Sequence, residues 1–491
     1  SITAIATNGR IPAGGPYYVV SRNLGAAFGG AIGFLFFLGT SLGATMYILG
    51  TTETLVTGFG ISEAFPMFRE VIALGIMFVL AALVYVGIEV VNKIASLFLA
   101  VVLLSIALAL GGLIAFGAGA EFGSWKGDGV TLATKPALEP QFTFDEETQR
   151  TPTFQSLVAL FYPSVTGIMA GSNRSGLLAD PGSAIPLGTF AAIITTTIMY
   201  VVVIIMFGSL VDRQDLLDNK LVMASIAWPF KEVVTVGIML SSIGAGLQCL
   251  VGAPQLLATM LHDEVLPFVP YLRLAGAWIR TNLCPCLRQP DEEEPVFREG
   301  ASAGDVSLSE DGASKSLTDK DGRTKGARDD DDDDDDDDSD REILVTWFLA
   351  SVPCLAGNLD MITPIQTMFF LMMYLTINAA SLTLTLFPTA GFRPTRPVHW
   401  SVPLFGGVMC VVVMMIVQWW QALVAFALAG GLYYWIQQGE QDESWGQWGS
   451  GLDSMQLGNA HRYLLALKDR RFTPKNWRPQ LLVLVETSER G

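Results

Sequence analysis

The stretch Phe161-Tyr162-Pro163-Ser164-Val165-Thr166-Gly167-Ile168-Met169-Ala170-Gly171-Ser172-Asn173 lies inside an apolar run, yet it carries a proline, two glycines and small hydroxyls. A helix does not pass through that composition undisturbed, because proline removes a backbone donor and glycine weakens a helix interior. In lipid, the freed backbone groups are tolerated only where protein buries them or a watery cavity solvates them. Helices broken near the bilayer midplane are where secondary transporters hold their ions. The stretch therefore predicts a chain that moves small ions across a membrane.

Composition points the same way. Of 491 residues, 51% are hydrophobic and 16% charged, whereas soluble domains carry about a quarter charged residues. Apolar runs long enough for a ~30 Å hydrocarbon core recur. No basic stripe suggests nucleic acid. Ser1-Ile2-Thr3 shows neither an initiator methionine nor a signal-peptide pattern, and the chain reads as a piece of a longer one. The net charge of −17 is concentrated: between Tyr271 and Asp340 stand 21 acidic and nine basic residues, including ten consecutive aspartates, Asp329 to Asp338. Such a low-complexity, self-repelling segment is expected to be a disordered, solvated linker.

About ten spans are expected, over residues 28–56, 71–90, 94–116, a broken one at 154–178, then 186–210, 233–257, 343–359, 365–387 and 402–436. The last of these reads as two short helices joined at Gln418-Trp419-Trp420-Gln421, with a single steep helix as the alternative. Lys and Arg set the orientation. Arg69, Lys126, Lys135, Arg150, Arg213, Lys220 and Lys231 fall on one side and the other 23 on the opposite side. That majority side is read as cytosolic, with the acidic loop and the C-terminal tail. None of the five cysteines falls in an expected extracellular loop, so no extracellular disulfide is expected. The three histidines, His262, His399 and His461, have no metal-ligand spacing. With no nucleophile elbow or phosphate loop, an enzyme is excluded and no cofactor is expected.

A set of ordered motifs then resembles the cation-chloride cotransporters (solute carrier family 12), and within them the potassium-chloride branch. Ala4-Ile5-Ala6-Thr7-Asn8-Gly9 with Pro12-Ala13-Gly14-Gly15-Pro16-Tyr17-Tyr18 resembles the end of the family's helix two and the loop after it. Tyr47-Ile48-Leu49-Gly50 resembles helix three, and residues 163–176 helix six. Gly244-Ala245-Gly246-Leu247-Gln248 with Gly252-Ala253-Pro254 resembles helix eight. Phe369-Phe370-Leu371-Met372-Met373-Tyr374 resembles helix ten, and Lys475-Asn476-Trp477-Arg478-Pro479-Gln480 the start of the cytosolic domain. The resemblance implies an all-α polytopic membrane protein of the amino acid-polyamine-organocation (LeuT-like) inverted-repeat fold, with helices three to twelve present. It divides the chain into residues 1–27 (end of helix two and a cytosolic loop), 28–258 (helices three to eight) and 259–341 (acidic disordered loop). Helices nine to twelve then fill 342–437, and the C-terminal domain begins in 438–491. Helix one, which ligates both ions in the family, would lie outside the chain, so this piece alone is not expected to transport.

The resemblance also assigns sites. Potassium is weakly hydrated and can be held by neutral oxygens. The hydroxyls of Tyr47 and Thr166 and the carbonyl of Pro163 are its implied ligands. Chloride needs donors, which a helix N-terminus offers, and the implied site is the N–H groups of Gly167, Ile168 and Met169 with the hydroxyl of Tyr374. Sodium-coupled members carry adjacent serines where this chain has Gly244 and Ala245, a lost sodium site, with Ser241 and Ser242 one turn early. Glu53, an intramembrane-edge carboxylate and so a functional candidate, would join an outer gate. The family's lysine position holds Asp218 here, leaving Lys220, two residues on, as the candidate partner. Arg174 either follows the positive-inside bias or pairs in an inner gate. The implied function is electroneutral, sodium-independent symport of K+ with Cl− by alternating access, in ion homeostasis and cell-volume regulation. The implied setting is a multi-pass homodimer in the bilayer of the plasma membrane. A sodium-coupled cotransporter, a non-transporting regulatory paralogue and an amino-acid permease of the same architecture are the alternatives.

Overall fold

The computed structural model describes residues 1–6, 15–61, 67–118, 151–178, 180–266, 329–355, 359–386, 398–438 and 451–468, with residue 357 and short pieces between 130 and 144. Cys284 and Cys286, most of the acidic loop and most of the C-terminal segment lie outside the described residues, as does the side chain of Arg174.

Helices make up almost all of the described structure. They are α1 Ile2–Ala6, α2 Gly15–Leu24, α3 Ala26–Gly58, α4 Phe68–Val86, α5 Ile88–Gly117, α6 Phe154–Phe161 and α7 Pro181–Leu210. Then follow α8 Arg213–Asp218, α9 Val222–Ile226, α10 Lys231–His262, α11 Asp329–Cys354, α12 Leu359–Leu386, α13 Ser401–Gln438 and α14 Gly451–Lys468. Seven helices among the described residues are long and apolar enough to cross a membrane, and Phe154–Val165 and Glu342–Cys354 are shorter apolar helices. The chain is thus an integral membrane protein by its helices.

The breaks have local causes. Gly87 sits at φ 131 between α4 and α5, a conformation that a residue with a Cβ rarely adopts. The helix boundary therefore falls there, inside the expected 71–90 span, and residues 91–93, expected to link two spans, are helical. α13 runs through the expected junction but kinks at Gln418, whose φ −164 and ψ 94 are extended. α7 begins at Pro181 in its first turn and carries Pro186 inside, five residues before the expected start. The acidic run differs from expectation. Asp329 to Asp338 are helical and form the N-terminal part of α11, where a disordered linker was expected.

α3 forms the centre of the molecule, packing against α10, α12, α2 and α13. Its small residues admit this: a Cβ on Gly39 would stand 2.9 Å from Phe369 Cβ, and one on Gly33 2.6 Å from the Tyr17 ring. Small residues let helices approach closely where lipid offers no hydrophobic drive for association. Phe36 packs edge-on against Phe370 at 5.3 Å, and Phe370 against Tyr374 at 6.3 Å. This fixes α12 against α3 beside the broken segment. Thr45 Oγ1 donates to Ala350 O at 2.6 Å, tying α11 to the same core.

Candidate functional site

The broken segment begins with α6, capped by Thr153, whose hydroxyl accepts from Ser156 N while Ser156 Oγ accepts from Thr153 N. Such a reciprocal cap starts a helix sharply. A 3-10 turn, Tyr162–Val165, carries Pro163 near its start, and Thr166 leaves the helix with ψ 168. Gly167 follows at φ 98, with open space where a Cβ would stand. Residues 168–171 form a turn, and a second 3-10 segment, Ser172–Leu177, closes the region. The expectation of a half-helix opening at Gly167 is therefore corrected: the backbone there is a turn running into 3-10 structure. Ser172 Oγ donates back to Met169 O at 2.8 Å, a local bond that competes with helical pairing.

The residues expected at the break come together in two pairs. Thr166 donates to the carbonyl of Pro163 through its hydroxyl at 2.7 Å and its N–H at 3.2 Å. This places two neutral oxygens side by side, with the lone pairs of Thr166 Oγ1 still available. Across the gap, Gly167 N–H donates to the Tyr374 hydroxyl at 3.0 Å. Tyr374 is buried, and so are Pro163 and Met169, while Gly167 and Ile168 are exposed. Tyr47 is half-buried on α3, its Cβ 3.5 Å from where a Cβ on Gly246 would stand. Among the described residues no hydrogen bond joins its hydroxyl to Pro163 or Thr166.

Gly244 faces α5. A Cβ there would stand 3.1 Å from the Phe98 ring, so the direction a serine hydroxyl would start from is already filled. Glu53 Oε1 and Lys220 Nζ approach to 3.8 Å at one end of α3, with side chains 42% and 58% exposed. That pair is too exposed to contribute more than ~1 kcal/mol.

Other residues at the site were not singled out from the sequence. Tyr200 on α7 donates to Ser164 O at 2.8 Å and meets Phe161 edge-on at 6.1 Å, clamping the break from outside the α3 core. A tyrosine in the middle of an apolar helix was the available signal. At the opposite end from Glu53, Arg22 Nη2 lies 3.2 Å from Asp263 Oδ1, and Tyr17 donates to Asp263 Oδ2 at 2.9 Å. Asp263 is the C-cap of α10, where a negative charge opposes the helix dipole, so its two partners offset that placement. Burial, and then Asp263, hold the Tyr17 phenol well above its usual range, so it stays a donor. A Cβ on Gly15 would fall 2.3 Å from Ser172 O, so α2 is pressed against the turn that follows the break.

Comparison with known proteins places this arrangement in a family. The amino acid permease family profile matches residues 1–275. Cation-chloride cotransporter 1 of Oryza sativa subsp. japonica is 33% identical, over 98% of this chain and 46% of the relative. Cation-chloride cotransporter 1 of Arabidopsis thaliana is also 33% identical with the same coverage. Cation-chloride cotransporter 2 of Oryza sativa subsp. japonica is 32% identical, again over 98% of this chain. The chain spans about half the length of these curated relatives. With its helical architecture of the LeuT-like type, the chain belongs to the amino acid permease family and groups within it with the cation-chloride cotransporters.

Proposed function

We propose that the protein containing this chain carries out electroneutral symport of one potassium with one chloride, independent of sodium, by alternating access. The observation that carries this reading is the break itself, where donors and neutral oxygens stand on adjacent residues. Thr166 Oγ1, whose proton goes to the Pro163 carbonyl, offers oxygen lone pairs, and one residue on, the Tyr374 hydroxyl, which accepts the Gly167 N–H, offers its proton. A carboxylate or an ammonium there would hold an ion tightly, whereas neutral groups let it leave. The names of the relatives, cation-chloride cotransporters, agree with a site of both polarities. Sodium independence rests on Gly244 and Ala245, which bring no side-chain oxygen, and on Phe98 filling the direction from Gly244. Glu53 with Lys220 serves as the outer gate, and the plasma membrane, a homodimer and a cytosolic acidic loop belong to the same proposal.

Rubidium uptake by the full-length protein, with chloride and sodium replaced separately, tests it. Flux that needs chloride and survives removal of sodium is expected. Flux lost without sodium would favour the sodium-coupled reading, and absent chloride-dependent flux at normal surface expression would favour a non-transporting paralogue.

A further inference from the structure

Gln366 lies two turns before Tyr374 on α12 and is 2% exposed. Its carboxamide oxygen is buried and has no hydrogen-bond partner among the described residues. The side chain occupies the seam where α3, α10 and α12 meet. Its Nε2 lies 3.0 Å from where a Cβ on Gly43 would stand, and Cys249 Sγ lies 3.4 Å from the same point. A buried acceptor left unpaired is costly, and an apolar side chain of similar volume would avoid that cost. An amide oxygen only accepts, and with no donor on it among the described residues it is open to a cation or a water molecule.

The neighbourhood distinguishes these. Gly43 and Tyr47 are successive positions on one face of α3, and Gly246 and Cys249 on one face of α10. Tyr47 faces Gly246, and Gln366 with Cys249 faces Gly43. These are adjacent rungs of one seam, ~6 Å apart along α3, whereas Tyr374 is ~12 Å from Gln366 along α12. The orphaned oxygen therefore belongs to the end of the path marked by Tyr47, the candidate cation ligand, and not to the end marked by the donors of Gly167 and Tyr374. Gln366, Cys249, Gly43, Tyr47 and Gly246 are all uncharged. Neutral oxygen suits a weakly hydrated monovalent cation, while divalent ions are held through carboxylates. Resting on the symport reading, we propose that Gln366 Oε1 is an additional ligand for a monovalent alkali cation in the α3–α10–α12 seam, one helical turn from Tyr47.

The test is cation-dependent thermal unfolding of the purified full-length protein, read beside rubidium uptake, for wild type, Gln366→Leu and Gln366→Glu. Potassium or rubidium should raise the wild-type Tm more than choline at equal ionic strength. Gln366→Leu should weaken apparent rubidium affinity about fivefold or more in both measurements, the loss of roughly one hydrogen-bond-scale contact, and leave chloride affinity unchanged. Gln366→Glu should strengthen cation binding and move preference towards sodium and lithium, as a stronger oxygen field does. Unchanged rubidium affinity in Gln366→Leu would overturn the site and leave a resident water as the partner. Rubidium and chloride affinities falling together would also overturn it, since that is the signature of lost packing. Choline stabilising as well as potassium would overturn the site whatever the flux. Cation-specific stabilisation that Gln366→Leu weakens, in a protein without chloride-dependent flux, would keep the site and remove the symport reading.

Discussion

Tyr374 and Gly167 stand 207 positions apart in the chain and 3.0 Å apart in space. By accepting the Gly167 N–H, the Tyr374 oxygen leaves its own proton free to donate elsewhere, and hydrogen bonds in series strengthen one another. Replacing Tyr374 by Phe removes that donor and keeps the ring that packs on Phe370. The expected loss is about 0.5–1.5 kcal/mol of anion binding, seen as a several-fold rise in the chloride concentration for half-maximal rubidium uptake, with expression unchanged. Gly167→Ala is expected to be worse despite its open space, because φ 98 is a backbone region that alanine avoids. Pro163, Thr166 and the glycines were legible as a break from composition alone. Tyr374 was not: by itself it reads as a packing aromatic, and only its place in an ordered motif marks it. Tyr200 escaped the reading because its partner is a backbone carbonyl 36 residues away, and no side-chain pattern encodes that.

The elements follow their local chemistry with specific exceptions. The kink at Gln418 was legible because polar and bulky residues interrupt a run too long for one span. The start of α7 was harder, since Pro186 reads as a boundary but is tolerated five residues inside the helix. Gly244→Ser tests how far an element's surroundings limit a site. A hydroxyl introduced against Phe98 is expected to destabilise by overpacking, about 1–3 kcal/mol, and to confer no sodium dependence, which thermal unfolding and rubidium uptake would check together. A second prediction concerns α8. The Thr131 hydroxyl, and then its N–H, hold Asp215 below the usual carboxylate range, the N–H at 2.6 Å. A carboxylate whose pKa falls on folding contributes its stabilisation above its unfolded pKa and loses it as pH drops through the folded value. The Thr131–Asp215 contact should therefore persist through mildly acid pH and loosen only below the usual carboxylate range, while the backbone pairing of residues 131–133 with 210–212 remains. Amide exchange at Thr131 would report this, and Asp215→Ala should give fast exchange at every pH.

Across the whole molecule, the broken segment lies between two charge pairs of different character. Glu53 and Lys220 are both well exposed at 3.8 Å, a contact that salt screens and that opens at little cost. At the other end, Asp263 is 9% exposed and Arg22 28%, at 3.2 Å, with Tyr17 buried against them. Removing one partner of a buried pair leaves an uncompensated charge, which costs about 3–5 kcal/mol, discounted here because Arg22 keeps some solvent. The asymmetry means that α2, pressed against Ser172 through Gly15, is the more firmly closed side of the break. Lys220→Met should therefore leave Tm nearly unchanged and only alter the ionic-strength dependence of rubidium uptake. Asp263→Ala should lower Tm by several degrees, and a cysteine placed at Ser172 should react faster with a soluble thiol reagent in that background. Equal effects of the two variants would remove the asymmetry. A large Tm loss without faster labelling would make the Arg22–Asp263–Tyr17 cluster a brace of the α3–α10 core and not a closure of the path.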